Sequence, residues 1–260
     1  MTVKSNAQSE TYRRVKTILI SQPKPERSTP YSELEEKYGV RIDWRPFIHV
    51  EPVSAKEFRK QRIRPDEFGA VIFTSKTAID HFFRLCKELR IEMSQETRYF
   101  CLTEAIANYL QKFIVYRKRK VAAGKRKIED LKSALMKHRN KLRFLLPCGN
   151  LGAKEVSRFL TENNFDWQEA LVYRTVSSDL SDLKDITYDM LVFFSPQGIQ
   201  SLYDNFPDFK QNNTRIAVWG ESTSKAVEER GLKINVKAPT AEVKSMTEAL
   251  KRYLELSNKK

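Results

Sequence analysis

Two kinds of hydrophobic spacing alternate along the chain. Short, largely unbroken apolar or β-branched runs occur at Thr17–Ser21, Trp44–Val50, Ala70–Thr74, Tyr99–Leu102, Arg143–Leu146, Ala170–Val176, Met190–Phe194, Arg215–Trp219 and Ile234–Ala238. Apolarity sustained over a strand's length is expected where both faces of a parallel sheet are covered. Between these runs the apolar positions fall at helical spacing. Ala78, Ile79, Phe82, Phe83 and Leu85 form one such face, Val156, Phe159 and Leu160 another, and Met246, Leu250, Tyr253 and Leu254 a C-terminal one. The alternation predicts a doubly wound α/β architecture.

The pattern also repeats. Ala70–Ile79 aligns with Met190–Ile199 at an offset of 120 residues, and Phe100–Ala107 with Ala217–Ser224 at an offset of 117. Asp43-Trp44 and Asp166-Trp167 are each followed by an extended run, Phe47–Val50 and Ala170–Tyr173. Blocks in constant order at near-constant spacing predict two copies of one α/β unit, each of roughly 120 residues.

Composition narrows the class. With 40% hydrophobic and 11% aromatic residues, the 260-residue chain can bury a core, and eight glycines and ten prolines exclude collagen-like and low-complexity chains. No apolar run approaches the roughly 20 residues of a membrane-spanning helix. Met1–Lys16 is polar and lacks an apolar segment, so no signal peptide is expected. The cysteines Cys86, Cys101 and Cys148 are too few and too scattered for a disulfide framework or a zinc site. A soluble, cytoplasmic protein without a metal is expected, with no membrane partner, as a monomer.

Charge is concentrated in one place. The net charge is +14, and Lys112–Arg143 carries thirteen Lys and Arg against only Glu129 and Asp130. Such a stretch is either a solvated face or a contact for a polyanion. No nucleic-acid-binding motif accompanies it, so nucleic acid is not the expected partner.

In open parallel sheets ligands bind beyond the carboxyl ends of the strands. Hydroxyl residues stand there in both copies: Thr74-Ser75, its counterpart Ser195-Pro196, and Ser222-Thr223 after the strand ending at Trp219. Each can serve as a helix N-cap, and the N–H groups behind it attract anions. Neither a Gly-x-Gly-x-x-Gly segment nor a P-loop occurs, which disfavours those forms of nucleotide binding. His49, His81 and His138 belong to no catalytic triad or metal-binding spacing, and Cys148 has no visible basic partner. Tyr173, at the exit of an extended run, is the phenol of most interest, although a strand tyrosine commonly serves packing.

Several short motifs, in their order and spacing, resemble uroporphyrinogen-III synthases. They are Phe73-Thr74-Ser75 before a helix, Cys148-Gly149-Asn150-Leu151, Val172-Tyr173-Arg174-Thr175, Phe193-Phe194-Ser195-Pro196 and Gly220-Glu221-Ser222-Thr223. Gly231–Val236 follows, then Ala238-Pro239-Thr240 and a last helix, so the resemblance spans about Thr17 to Leu254. It implies two similar doubly wound parallel-sheet domains forming a clamshell, joined by a two-stranded β linker at about residues 47–50 and 171–175. One domain would comprise residues 1–45 and 176–260, the other residues 46–175.

The resemblance further implies cofactor-free cyclisation of hydroxymethylbilane, a linear tetrapyrrole with eight carboxylates, to uroporphyrinogen III. Ring D is inverted and water is lost. Tyr173 matches a cleft tyrosine and is the candidate proton donor. Thr74, Ser75, Ser195, Pro196, Gln197, Gly220, Glu221, Ser222 and Thr223 are the candidate substrate contacts, with Gly220 letting backbone N–H groups approach a carboxylate.

The first copy departs from the family pattern. Lys76 stands where Ser-Pro is common, Gln22 where many members carry arginine, and Thr103 and Ile106 where the second copy has Gly220 and Thr223. Two other readings therefore stay open. One is a family member that binds a tetrapyrrole or another polyanion without turnover. The other is nucleic-acid binding through residues 112–143.

Overall fold

The computed structural model describes residues 12–26 and 29–258. Most of the polar N-terminal segment, read above as carrying no signal peptide, lies outside the described residues. In chain order the elements are β1 (Thr17–Ile20), α1 (Pro30–Tyr38), β2 (Arg41–Trp44), β3 (Ile48–Pro52), α2 (Ala55–Lys60), β4 (Ala70–Phe73) and α3 (Lys76–Leu89). Next come β5 (Arg98–Cys101), α4 (Glu104–Leu110), β6 (Val121–Ala123), α5 (Lys132–Met136), β7 (Phe144–Gly149), α6 (Lys154–Glu162) and β8 (Trp167–Ser177). The chain closes with β9 (Met190–Phe193), α7 (Pro196–Asn205), β10 (Arg215–Trp219), α8 (Glu221–Glu229), β11 (Val236–Ala238) and α9 (Met246–Ser257). Among the described residues no helix is long and apolar enough to cross a membrane.

The chain divides into two units, one running to His49 and resuming at Val176, the other comprising Val50–Thr175. In the first unit five parallel strands lie in the order β11-β10-β9-β1-β2. The period of two along each strand divides its residues between two cores. Ile18, Ile20, Met190, Val192 and Ala217 pack with the helix residues Leu34, Leu250 and Leu254. Leu19, Leu191, Phe193, Ile216 and Val218 pack with Ile199, Leu202 and Val227 on the other face.

The sheet of the second unit has the order β3-β8-β7-β4-β5-β6. Strands β4 to β8 are parallel. One face buries Val71, Phe73, Tyr99, Cys101 and Leu145 against Ile79, Phe82 and Leu110. The other buries Ala70, Ile72, Phe100, Phe144 and Leu146 against Leu135, Phe159 and Leu160. Both sheets thus have two apolar faces, which is why their strands read as unbroken apolar runs. Beside β8 runs β3. Val53 N–H donates to the Val172 carbonyl (3.2 Å) and Ser178 N–H to that of Phe47 (2.8 Å), the pattern of an antiparallel ribbon.

The strand orders make β4, β5, β6, β7 and β8 the counterparts of β9, β10, β11, β1 and β2. Two of the three sequence correspondences follow this scheme and the third does not. Trp44 pairs with Ile20 at the last step of β2, whereas Trp167 pairs with Phe144 at the first step of β8. The dipeptides therefore sit at opposite ends of corresponding strands. Their likeness reflects strand-flanking composition rather than equivalence.

The expected run Trp44–Val50 is also two strands, β2 and β3, in different sheets. Pro46, which has no N–H to offer a ladder, separates them. A strand not anticipated, β6, lies inside the basic stretch, where three short residues are hidden among lysines and arginines.

Phe82 anchors the second unit. It is fully buried, with the Phe73 ring 5.6 Å away and the Phe83 ring 5.1 Å away, both edge-on. Truncating a buried phenylalanine loses transfer energy and leaves a cavity. Phe82→Ala is expected to lower stability by about 3–5 kcal/mol, read from the urea unfolding midpoint by circular dichroism.

Candidate functional site

At the C-terminal edge of the second unit's sheet, Tyr173 is held from several sides. Cys148 pairs with Leu171 but Gly149 with Tyr173, so Val172 is the extra residue of a bulge that re-aims β8. The backbone on either side is clamped. Gln61 exchanges two hydrogen bonds with Leu171, both 2.9 Å, and Asn150 exchanges two with Thr175, at 3.1 and 2.8 Å. Arg174 forms a forked ion pair with Glu57 at 2.9 and 2.5 Å, and this lowers the Glu57 carboxyl pKa.

The ring of Tyr173 lies over Gly149, where a Cβ would come within 2.5 Å of Tyr173 Cε2. Only glycine admits that approach. On another side is the His81 ring from α3, 5.5 Å away and tilted by 32°. The phenolic hydroxyl makes no hydrogen bond among the described residues, so it is open to an incoming group.

Burial, and secondarily the nearby Arg84, lowers the His81 pKa, while Asp80 opposes the shift. His81 Nδ1 is buried without a partner. A neutral imidazole thus flanks the phenol. In the sequence His81 belongs to no catalytic or metal-binding pattern, and Gly149 is a motif residue without a stated role. The i, i+1 placement of His81 before Phe82 offered no sign that it turns toward β8.

The other residues singled out at this edge behave as caps. Ser75 Oγ accepts from Ala78 N–H (3.0 Å), and Thr74 is half-buried just before it. Thr103 Oγ1 accepts from Ile106 N–H at the start of α4 (3.3 Å). Cys148 donates to Glu169 (2.9 Å); burial first, and then that carboxylate, raises its thiol pKa, which opposes any nucleophilic role. Cys101 is raised to about 12 by burial alone. No group of three or more metal-ligating residues occurs among the described residues.

In the first unit, Ser195 Oγ caps α7 by accepting from Gly198 N–H (3.3 Å), with Pro196 at the first helical position and Gln197 half-buried beside it. Gly220 precedes α8 with φ +83°, a backbone conformation that favours glycine. Its own N–H donates to the Ala238 carbonyl (2.7 Å) and so is not available to a ligand. No side chain caps α8, however, and Glu221 and Ser222 in its first turn are exposed, Glu221 pairing with Lys237 at 2.8 Å.

Thr223 corrects an expectation. It is 1% exposed and its hydroxyl is buried without a partner, so it is not open to substrate. Three residues past the N-cap is an inward-facing helical position, and Ile106, its counterpart in α4, is also buried. The Thr103/Ile106 departure is accounted for structurally: a hydroxyl cap replaces a glycine turn, and a core isoleucine replaces a core threonine.

Two outcomes follow from this geometry. Gly149→Ala is expected to push the Tyr173 ring aside, visible as a changed near-ultraviolet tyrosine signal, with a stability loss of about 1–3 kcal/mol. A histidine with a lowered folded pKa takes up its proton first in the unfolded chain. Its contribution to stability is therefore present above about pH 6.5 and declines as pH falls below that value. His138 is lowered too, by burial first and by Arg98, Lys141 and Lys137. His81→Gln should therefore flatten the acid limb of the stability–pH curve in part, not wholly.

Comparison with known proteins bears on the fold and the family. A curated uroporphyrinogen-III synthase of Chlorobaculum parvum is 24% identical over 237 residues, covering 85% of this chain and 92% of that protein. The crystal structure of uroporphyrinogen-III synthetase from Helicobacter pylori matches with a TM-score of 0.58 at 19% identity, over 93% of this chain and 99% of that one. A mutant uroporphyrinogen III synthase from Thermus thermophilus matches with a TM-score of 0.57 at 17% identity, over the same shares. At those identities the structures speak to the fold alone. The uroporphyrinogen-III synthase HemD family itself matches residues 29–248, which is most of the chain and includes every strand from β2 to β11, so the chain belongs to the uroporphyrinogen-III synthase family.

Proposed function

We propose that the chain closes hydroxymethylbilane to uroporphyrinogen III with loss of water, and that Tyr173 supplies the proton to the departing hydroxyl. Family membership carries the reaction. The unengaged Tyr173 hydroxyl, on a ring wedged between Gly149 and His81, carries the assignment of the donor.

The chemistry asks little of side chains. The electron-rich pyrrole next to the hydroxymethyl group expels the hydroxyl, and a proton delivered as the bond breaks lets it depart as water. The resulting cation is attacked by the substituted carbon of ring D to form a spiro intermediate. Fragmentation and closure in the other sense then invert that ring. A proton released on rearomatisation returns to the phenolate, so the enzyme is restored and one water is lost overall. The unaided chain closes to the uninverted isomer, so specificity lies in holding the two ends.

The neutral His81 suits this role. A cationic imidazole beside the phenol would disfavour the carbocation developing in the substrate. The uncapped first turn of α8, at Glu221 and Ser222, offers backbone N–H groups to a substrate carboxylate. Thr74 and Ser75 stand at the C-terminal edge of one sheet, and Ser195, Pro196 and Gln197 at that of the other; they remain the candidate contacts for the pyrroles.

The test is an assay on freshly generated hydroxymethylbilane, with uroporphyrinogen isomers I and III separated after oxidation. Isomer III should accumulate catalytically. Tyr173→Phe, which keeps the ring on Gly149, should lower kcat by about 100-fold with an unchanged circular dichroism spectrum. Undiminished turnover in a folded Tyr173→Phe protein would remove Tyr173 as the acid. Isomer I alone from the wild type, with a tetrapyrrole still bound, would make the protein a non-catalytic binder.

A further inference from the structure

We propose that the C-terminal edge of the six-stranded sheet, from Lys76 after β4 to the turn Gly124–Lys127 after β6, is a carboxylate-binding subsite that anchors acidic groups of the tetrapyrrole. The proposal rests on the reading above that the substrate is hydroxymethylbilane.

Position is the first ground. Strands β4, β5, β6, β7 and β8 are parallel, so the turns after β4 and β6 open on the same edge as Gly149 and the Tyr173 beside it. From β6 to β8 is four strand spacings, about 19 Å at about 4.8 Å each. A subsite there would hold a part of an extended substrate remote from the reacting carbon.

The turn itself is built to present charge. Gly124 N–H donates to the Cys101 carbonyl (2.9 Å). The next three backbone N–H groups, of Lys125, Arg126 and Lys127, converge on one Asp130 carboxylate oxygen at 3.0, 2.9 and 3.0 Å. Those bonds hold the Asp130 carboxyl below its ordinary pKa, so it stays ionised as a fastening for the turn. Successive N–H groups of this kind form an anion-binding concavity, and here the chain fills it with its own carboxylate. The three side chains are exposed and make no ion pair among the described residues. In the same basic stretch Lys120 is paired with Glu96 (2.5 Å) and Arg143 with Asp166 (3.4 Å), whereas Lys118, Lys137 and Lys141, like the three side chains of the turn, make no ion pair among the described residues.

Lys76 extends the rim. Its ammonium lies 5.4 Å from the centre of the Tyr109 ring, with that of Lys112 at 4.4 Å, and Asp80 fixes that ring by accepting from its hydroxyl (2.8 Å). Glu129 and Asp130 are the exposed acids next to the turn, two carboxylates against three cations, and the turn's own N–H groups hold Asp130.

The duplicated fold provides the comparison. In the first unit Pro196 takes the place of Lys76, and the turn after β11 carries Glu242 paired with Arg252 (3.0 Å). The same architecture therefore closes without cations at these positions. Their presence on one edge only is a property of what that edge meets. An octacarboxylate meeting Lys and Arg gains charge-assisted hydrogen bonds and long-range attraction.

The experiment compares two triple variants that remove equal charge. K125S/R126S/K127S empties the turn. K118S/K137S/K141S empties the opposite, N-terminal strand edge, since Lys118 precedes β6 and Lys137 and Lys141 precede β7. The first should raise KM for hydroxymethylbilane by about tenfold or more with kcat within about twofold, and should flatten the salt dependence of kcat/KM. The second should leave both constants near wild type. Equilibrium titration with uroporphyrin III, a stable octacarboxylate, should show the same tenfold loss in the first variant only. Lys76→Ser, a single exposed change, gives a smaller loss in the same direction and serves if the turn variant fails to fold. Equal affinities in all proteins, or equal losses in both triples, would overturn the subsite. A wild type that makes no isomer III would overturn the enzymatic reading instead, while the uroporphyrin titration would still decide the subsite.

Discussion

Everything in this protein depends on two parallel sheets being covered on both faces. A parallel strand finds its ladder partners only through a crossover, and here the crossovers are helices that must bury an apolar stripe. Ile18 and Leu19, or Ile72 and Phe73, adjacent in sequence, belong to opposite cores. Once strands run parallel with helices between them, most strands end at one edge in a turn leading to a helix N-terminus; β2 and β8 instead lead on to further strands. That edge is where exposed polar groups can be gathered without disturbing either core.

The arrangement around Tyr173 uses a local breach of this regularity. An extra residue, Val172, breaks the register of β8 against β7, and the aromatic ring it redirects needs a glycine beneath it. The two-way amide clips by Gln61 and Asn150 replace ladder bonds that the irregular strand lacks. A phenol held this firmly has little freedom left to lose on meeting a ligand. His81, half-buried beside the phenol, has its protonation disfavoured by burial and by the nearby Arg84.

Duplication explains both the likeness of the units and their divergence. The fold constrains buried positions and caps, so Ser75 and Ser195 cap equivalent helices, and Ile106 and Thr223 occupy equivalent buried sites. Exposed edge positions carry no such constraint. There the second unit became cationic, at Lys76 and Lys125–Lys127, while the first did not. The departures from the family pattern thus fall into two kinds. Thr103 and Ile106 are exchanges within the packing rules, and Lys76 is a change at an exposed edge position.

Much of this was legible in the chain. Unbroken apolar runs identified most of the strands because burial on both faces leaves no polar position in them, and the helix faces showed in the spacing of Phe82, Leu160 and Leu250. The short β6 was hidden because its three residues lie between runs of lysine and arginine. The apparent repeat at Trp44 and Trp167 misled because composition carries no register. For the site, the caps and the candidate tyrosine could be named from local pattern. The burial of Thr223, the approach of Tyr173 to Gly149 and the turn of His81 toward β8 could not. Local propensity and periodicity, being properties of neighbours in sequence, were determined by the chain itself. Which side chains meet across strands and helices was decided only by tertiary packing, because a bulge of one residue or a rotation of one helical position changes every such contact while leaving the local pattern intact.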